Sequence, residues 1–256
     1  MIGKEQRLSL NYLKNKMNVS IVGLGNIGFY YDYKSDKIIQ TLSKAFYKSK
    51  LFKLKCAIDS NSKCLRDFKL KYPDIKTSKS LKYLKKFKSE VLIVSTTTET
   101  HSKIIKDVLK IYRPKIIICE KPISYYLNST LDIINICREK KIKLFINYQR
   151  ISNPIYIKIK NLITKDNNKY NLEINYSKGI YNNASHFINL ILFLFGSFKK
   201  YKLLKKKRNK KDYIADFKLE KKNVIAKFKY SNKNSIRISG KNLYFCDDRH
   251  NNKCFY

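Results

Sequence analysis

Three stretches of the chain carry residue types that do chemistry at useful spacings. Gly23-Leu24-Gly25-Asn26-Ile27-Gly28 spells G-x-G-x-x-G directly after the β-branched run "NVSIV". After a strand, the first glycine permits a tight turn and the second lets backbone amides approach a pyrophosphate. The third lets a helix pack closely on the strand. The N-terminus of the following helix then attracts the anion. Gly23, Gly25, Asn26, Ile27 and Gly28 are therefore cofactor-binding candidates; the plainer alternative is an ordinary glycine-rich turn between strand and helix.

Asp59 closes the next apolar run, "FKLKCAID" (52–59). A carboxylate there accepts hydrogen bonds from the ribose hydroxyls of an adenosine and repels a 2′-phosphate, which favours NAD over NADP. Asp59 lies 31 residues past Gly28, against a usual spacing of about 20. The polar-aromatic stretch "FYYDYKSDK" accounts for the excess as an insertion before the next helix. Capping the following turn is the alternative role for Asp59.

The third stretch is "YNNASHFINLILFLFG", Tyr181 to Gly196, a polar cluster in front of a nearly unbroken apolar run. His186 supplies a base whose ordinary pKa sits near working pH, as removal of a hydroxyl proton requires. The first turn of a helix disfavours imidazolium and keeps such a ring ready to accept. The apolar run from Phe187 to Phe195 anchors that turn in a core. A buried histidine capping its own helix is the alternative.

These residues need elements to position them. Short apolar runs at 18–22, 52–59, 90–98, 115–120 and 142–148 read as buried strands. Between them lie helical patterns: "DKIIQTLSKAFYKS" with Asp36 as N-cap, "SKCLRDFKLKY", "SLKYLKKF", "ETHSKIIKDVLKIY" and "YYLNSTLDIINICREKK". Hydrophobic strands alternating with helices predict an α/β domain, a doubly wound parallel sheet covered on both faces. The pattern stops near Tyr148. Beyond it, a helix over "PIYIKIKNLI" with Pro154 in its first turn and period-2 strands such as "YIADFKLE" and "NVIAKFKYS" predict an α+β domain with a mostly antiparallel sheet. The expected organisation is a polar extension at 1–17, with Met17 as an alternative start, a nucleotide-binding domain at 18–147 and a second domain at 148–256.

Composition narrows the classes. A formal charge of +37 suggests a nucleic-acid binder, but only eight of the 56 basic residues are Arg, the side chain suited to bidentate phosphate recognition. Lysines run through nearly every segment together with Ile, Asn and Tyr, as codon bias produces. The cluster "KKYKLLKKKRNKK" (199–211) reads as a solvated edge that discourages sheet pairing. Six cysteines without a C-x-x-C, and three scattered histidines, predict reduced thiols and no metal site. Neither a membrane-spanning run nor a secretory h-region is present, which predicts a cytoplasmic protein.

Taken in order, "GLGNIG", "VSTTTETH" (94–101), "CEKPIS" (119–124), "NYQRISNP" (147–154) and "YSKGIYNNASHFINLILFLFG" (176–196) resemble the Gfo/Idh/MocA oxidoreductase family. The resemblance spans about residues 18–245, and the pattern is similar to members of bacterial surface-sugar biosynthesis. It implies hydride exchange between the nicotinamide of NAD and a ring carbon of a sugar or nucleotide-sugar. It also implies a C-terminal sheet through which copies of the chain can associate. Carried over, Lys121 hydrogen-bonds the reacting oxygen and forms the catalytic pair with His186, while Glu120 and Lys121 sit beside the nicotinamide ribose and Pro122 fixes the backbone. Ser95, Thr96 and His101 belong to the cofactor loop, and Arg150, Asn182 and Asn183 to the substrate. A plain strand-end ion pair is the alternative for Glu120 and Lys121, and a local ion pair for Arg150. The chain departs from the family pattern at Thr97, Ala184 and Asn189, and relatives continue for several dozen residues beyond its last, so the second domain is expected to be incomplete. A degenerate nucleotide-binding protein without turnover is the competing reading.

Overall fold

The run "VLIV", Val91–Val94, has no residue that tolerates water, and all four are buried. A strand apolar on both faces must lie inside a sheet covered on both sides. In the computed structural model, which describes residues 16–164, 168–209, 212–248 and 252–255, it does. The chain divides into two units between Asn147 and Tyr148.

Among the described residues of the first unit, the sheet has six parallel strands: β1 (Met17–Val22), β2 (Phe52–Ile58), β3 (Lys76–Ser78), β4 (Val91–Val94), β5 (Ile116–Cys119) and β6 (Lys143–Ile146). Their order is β3-β2-β1-β4-β5-β6, all neighbours parallel. Alternation of side chains sends Val19, Ile21, Val91 and Ile93 to one face, with Phe29 and Phe68. It sends Val22, Leu92, Val94 and Ile117 to the other, with Ile105 and Ile133. The thiols of Cys56, Cys119 and Cys137 lie in that second core, where burial pushes Cys56 up to about 12. Strands are added on one side of β1 as far as β3 and on the other side from β4 onward, so the crevice outside the C-terminal ends of β1 and β4 is the topological switch point at which such sheets bind ligands.

Helices α1 (Leu42–Lys48), α2 (Ser62–Lys71), α3 (Thr98–Leu109) and α4 (Leu127–Glu139) cover the sheet. Two local expectations are corrected, and one strand goes beyond them. The first helix starts at Leu42 with Thr41 as its cap, not at Asp36. Asp32 is the cause: its Oδ2 accepts the N–H groups of Gln40 (2.6 Å) and Thr41 (2.9 Å) and its Oδ1 the Thr41 hydroxyl (2.8 Å), which holds the chain open until residue 41. Asp36 instead pairs with Lys71 at 2.6 Å. The helix over "SLKYLKKF" is a 3₁₀ segment, Leu81–Lys86. Strand β3 has no apolar run to announce it; it is a short edge strand whose residues are polar.

In the second unit, α5 (Pro154–Ile163) and α6 (Ser185–Phe195) pack on a sheet of β7 (Tyr170–Tyr176), β8 (Lys200–Asn209), β9 (Asp212–Lys221), β10 (Val224–Tyr230), β11 (Ser235–Gly240), β12 (Leu243–Asp247) and β13 (Asn252–Phe255). The order is β13-β12-β11-β7-β10-β9-β8; β7 and β10 run parallel and every other pair is antiparallel. One face, with Tyr170, Leu172, Ile174, Ala226, Phe228, Ile236 and Phe245, holds the core under the helices. The other carries Asn171, Glu173, Lys227 and Arg237, with Arg237 bonded to Glu173 at 2.9 Å. The lysine cluster begins the edge strand β8, and Lys200 to Lys207 are exposed. Among the described residues no helix is long and apolar enough to cross a membrane.

Candidate functional site

The glycine turn leaves β1 at the switch point. Gly23 has φ 98°, in the region that favours glycine, and a Cβ on it would lie 2.5 Å from the Thr96 backbone nitrogen. A side chain on Gly28 would run into the Gly23 carbonyl oxygen. Gly25 differs: nothing lies within 4 Å of where its Cβ would be. Two of the glycines let protein pack on protein and the middle one keeps a backbone face open, which is the cradle a pyrophosphate needs.

The helix expected after the motif is a single π turn, Asn26–Tyr30, before the insertion turns the chain away. The first amides of the turn to bond back belong to Phe29 and Tyr30, both on the Gly25 carbonyl oxygen (2.7 and 3.2 Å). The amides ahead of them, from Asn26 to Gly28, are what the turn offers an anion, without a long helix behind them.

Asp59 follows β2 and braces this turn. Its Oδ2 accepts the Leu24 N–H at 2.6 Å and its Oδ1 the Asn61 N–H at 2.8 Å. Ser95, buried after β4, donates its hydroxyl to the Gly23 carbonyl at 2.8 Å. Thr96 bonds Thr100 through their hydroxyls at 2.8 Å. The His101 ring is buried, with Nε2 3.0 Å from the Thr96 carbonyl oxygen and Nδ1 2.9 Å from the Pro122 carbonyl oxygen. It ties the loop after β4 to the loop after β5.

That second loop is E-K-P, with a cis Lys121-Pro122 peptide. Glu120 is buried, and burial pushes its carboxyl above the ordinary carboxylate range, against the pull of the Asn147 amide, the Lys121 N–H and the charges of Lys121 and His101. The Asn147 amide donates to Glu120 Oε1 at 2.5 Å. Asn147 directly follows β6, which lies beside β5 in the sheet, and residue-type reasoning passed it over although it opens "NYQR".

In the second unit, the Tyr148 ring meets His186 edge-on, with ring centroids 5.6 Å apart at 86°. Burial raises the Tyr148 hydroxyl pKa, and a hydrogen bond with Ser185 opposes it. Arg150 pairs with Asp247 at 3.0 Å and lies over the Phe187 ring at 4.3 Å, and the Tyr156 hydroxyl donates to the same carboxylate at 2.5 Å. Arg150 is thus held by a local ion pair. The Asn183 amide donates to the Ser177 hydroxyl at 3.0 Å, and that of Asn182 to Asp212 at 3.1 Å.

His186 is the second residue of α6, yet not in the first turn of the helical run. A π turn, Ile180–Ala184, precedes α6 without a break. The positive end of the run falls at Tyr181 and Asn182, whose N–H groups the Asp212 carboxylate accepts at 2.9 and 3.0 Å. The expectation that bare helix-end charge bears on the imidazole is corrected accordingly. Asp212 is a second residue that sequence reasoning missed; its only signal is an acid opening an alternating strand after a run of lysines. Asn189, one turn past His186, has a buried Oδ1 with no hydrogen-bond partner among the described residues.

Strand order, switch point and glycine turn define a dinucleotide-binding α/β fold. Residues 17–148 match the family model described as an oxidoreductase family with an NAD-binding Rossmann fold, and the chain belongs to this family, Gfo/Idh/MocA. Solved structures share the fold. A protein of Desulfitobacterium hafniense assigned as an NADPH-dependent oxidoreductase aligns with TM-score 0.75 and 17% identity over 91% of this chain and 73% of that one. The WlbA dehydrogenase of Bordetella pertussis, solved with NADH and UDP-GlcNAcA, gives 0.72 and 16% over 91% and 73%. The WlbA (WbpB) dehydrogenase of Thermus thermophilus, solved with NAD and alpha-ketoglutarate, gives 0.69 and 13% over 90% and 82%. No curated protein sequence matches the chain. At these identities the likeness is one of fold.

Proposed function

We propose that this oxidoreductase acts on a CH–OH group of a sugar or nucleotide-sugar, with NAD preferred over NADP. Residues 18–147 form the cofactor domain and 148–256 the substrate domain, whose sheet is a surface on which copies of the chain can pair. When bound, the nicotinamide would supply a hydride acceptor as NAD and a hydride donor as NADH. The chain's own residues handle binding and the proton. Amides of Asn26 to Gly28 receive the pyrophosphate over Gly25. Asp59, still rich in lone pairs, takes ribose hydroxyls and excludes a 2′-phosphate.

Glu120 and Lys121 sit beside the nicotinamide ribose. Lys121 hydrogen-bonds the reacting oxygen, and His186 accepts the hydroxyl proton as the hydride leaves. Asn182 and Asn183 hold substrate hydroxyls. The observation that carries this reading is the set of buried bonds converging on E-K-P: Asn147 to Glu120, and His101 between Thr96 and Pro122. Effort of that kind fixes a reacting group rather than a solvated strand end. The UDP-GlcNAcA held by the Bordetella pertussis relative supports a nucleotide-sugar.

A binding protein without turnover is the second reading, favoured by the engagement of Arg150 with Asp247 and by Asn189. Mixing the protein with NADH or NAD and a panel of UDP-sugars, while following absorbance of the reduced nicotinamide, separates the two. Turnover of one sugar supports the enzyme; cofactor binding with no turnover of any supports the alternative.

A further inference from the structure

The helical run that carries His186 begins without a side chain of its own to cap it. The residue before the π turn is Gly179, φ 130°, and no side-chain bond caps either the turn or α6. A helix start leaves N–H groups without acceptors and gathers about half a positive charge. Both needs are met from a strand some thirty residues later. Asp212, the first residue of β9, is 5% exposed. Its carboxylate accepts the Tyr181 N–H (2.9 Å), the Asn182 N–H (3.0 Å), the Asn182 amide (3.1 Å) and its neighbour Tyr213 N–H (2.7 Å).

All four partners are donors, so both oxygens act as acceptors. Gly179 lies directly over the group: a Cβ there would collide with the Asp212 carboxylate. The bare glycine and the buried acid fit one another. The rings of Tyr181 and Tyr213 flank the contact, 6.3 Å apart.

We propose that Asp212 is a positioning residue for His186, resting on the reading of His186 as the base. Mechanically, it fixes where the helical run starts and so where the imidazole stands about one turn further on. Electrostatically, its charge offsets the positive helix end, so that imidazolium is less disfavoured when the ring takes a proton. Among the described residues, the charged and titratable groups around this part of the unit include Tyr148, edge-on to the ring, the Arg150–Asp247 pair against Phe187 with the Tyr156 hydroxyl on it, Tyr176 near Asp212, and Lys206 over the Tyr213 ring.

The test is histidine NMR on the full chain. It has three histidines, 101, 186 and 250, so glutamine substitutions at each assign the signals. In Asp212→Asn, which keeps an acceptor but loses the charge, the His186 titration midpoint should fall by roughly 0.2–0.7 pH unit. The acidic limb of the oxidation rate should move down with it. In Asp212→Ala, which also loses the cap, kcat should drop further, by about 10- to 100-fold, while NADH affinity stays within twofold. A midpoint unmoved in both variants overturns the proposal whatever the rate does. A midpoint that falls while the rate profile stays put keeps Asp212 in its role and rejects His186 as the base. If Asp212→Ala does not fold, the Asp212→Asn midpoint still decides.

Discussion

The Asp59 carboxylate accepts the backbone N–H of Leu24 at 2.6 Å, joining the end of β2 to the middle of the glycine turn. One oxygen shapes the turn and the other takes the Asn61 N–H at 2.8 Å, with Asp59 half-buried between them. The side chain organises the next turn, and the proposed contact with a ribose hydroxyl would fall on the same carboxylate. Asp59→Ala should narrow the preference for NADH over NADPH by about tenfold, the worth of a charge-assisted hydrogen bond. Fluorescence titration with each reduced cofactor measures it; an unchanged ratio removes Asp59 from the ribose.

Two of the glycines should separate cleanly. Gly28→Ala drives a methyl into the Gly23 carbonyl, so it should destabilise by about 1–3 kcal/mol, as overpacking does. Gly25→Ala meets only open space, so its melting temperature should match wild type while NADH affinity drops by at least about tenfold. A Gly25→Ala protein that binds NADH normally would mean that the open face is not the pyrophosphate cradle.

Glu120 makes stability depend on pH in a stated direction. Its carboxyl is raised in the fold, chiefly by burial. A raised acid binds its proton more tightly folded than unfolded, so its contribution is favourable below the ordinary carboxylate range and lost as pH rises through the folded value. Glu120→Gln keeps an acceptor for Asn147 and removes that loss. The variant should melt higher than wild type at neutral pH, and the difference should shrink as the pH falls below the ordinary carboxylate range. Calorimetry at several pH values checks it; a variant less stable at neutral pH contradicts the assignment.

Much of this was written in local pattern. The buried run Val91–Val94 and the glycine spacing of the turn Gly23–Gly28 are legible in their own residues, and the parallel sheet follows from the alternation of such strands with helices. What escaped depends on partners distant in sequence. Asp32 decides where α1 starts by capturing amides of residues 40 and 41. Asn147 matters because β6 lies beside β5. Asp212 matters because β9 delivers a carboxylate under Gly179. A motif shows which groups can react, whereas the groups that aim them are selected by the sheet.

His186→Ala tests the central claim most directly. With the sugar nucleotide that turns over fastest, kcat should fall by about 10²–10⁴, the usual worth of an acid-base group, while NADH binds the variant as tightly as the wild type. A variant that turns over at the wild-type rate would show that the proton leaves by another route and that the imidazole is not the base.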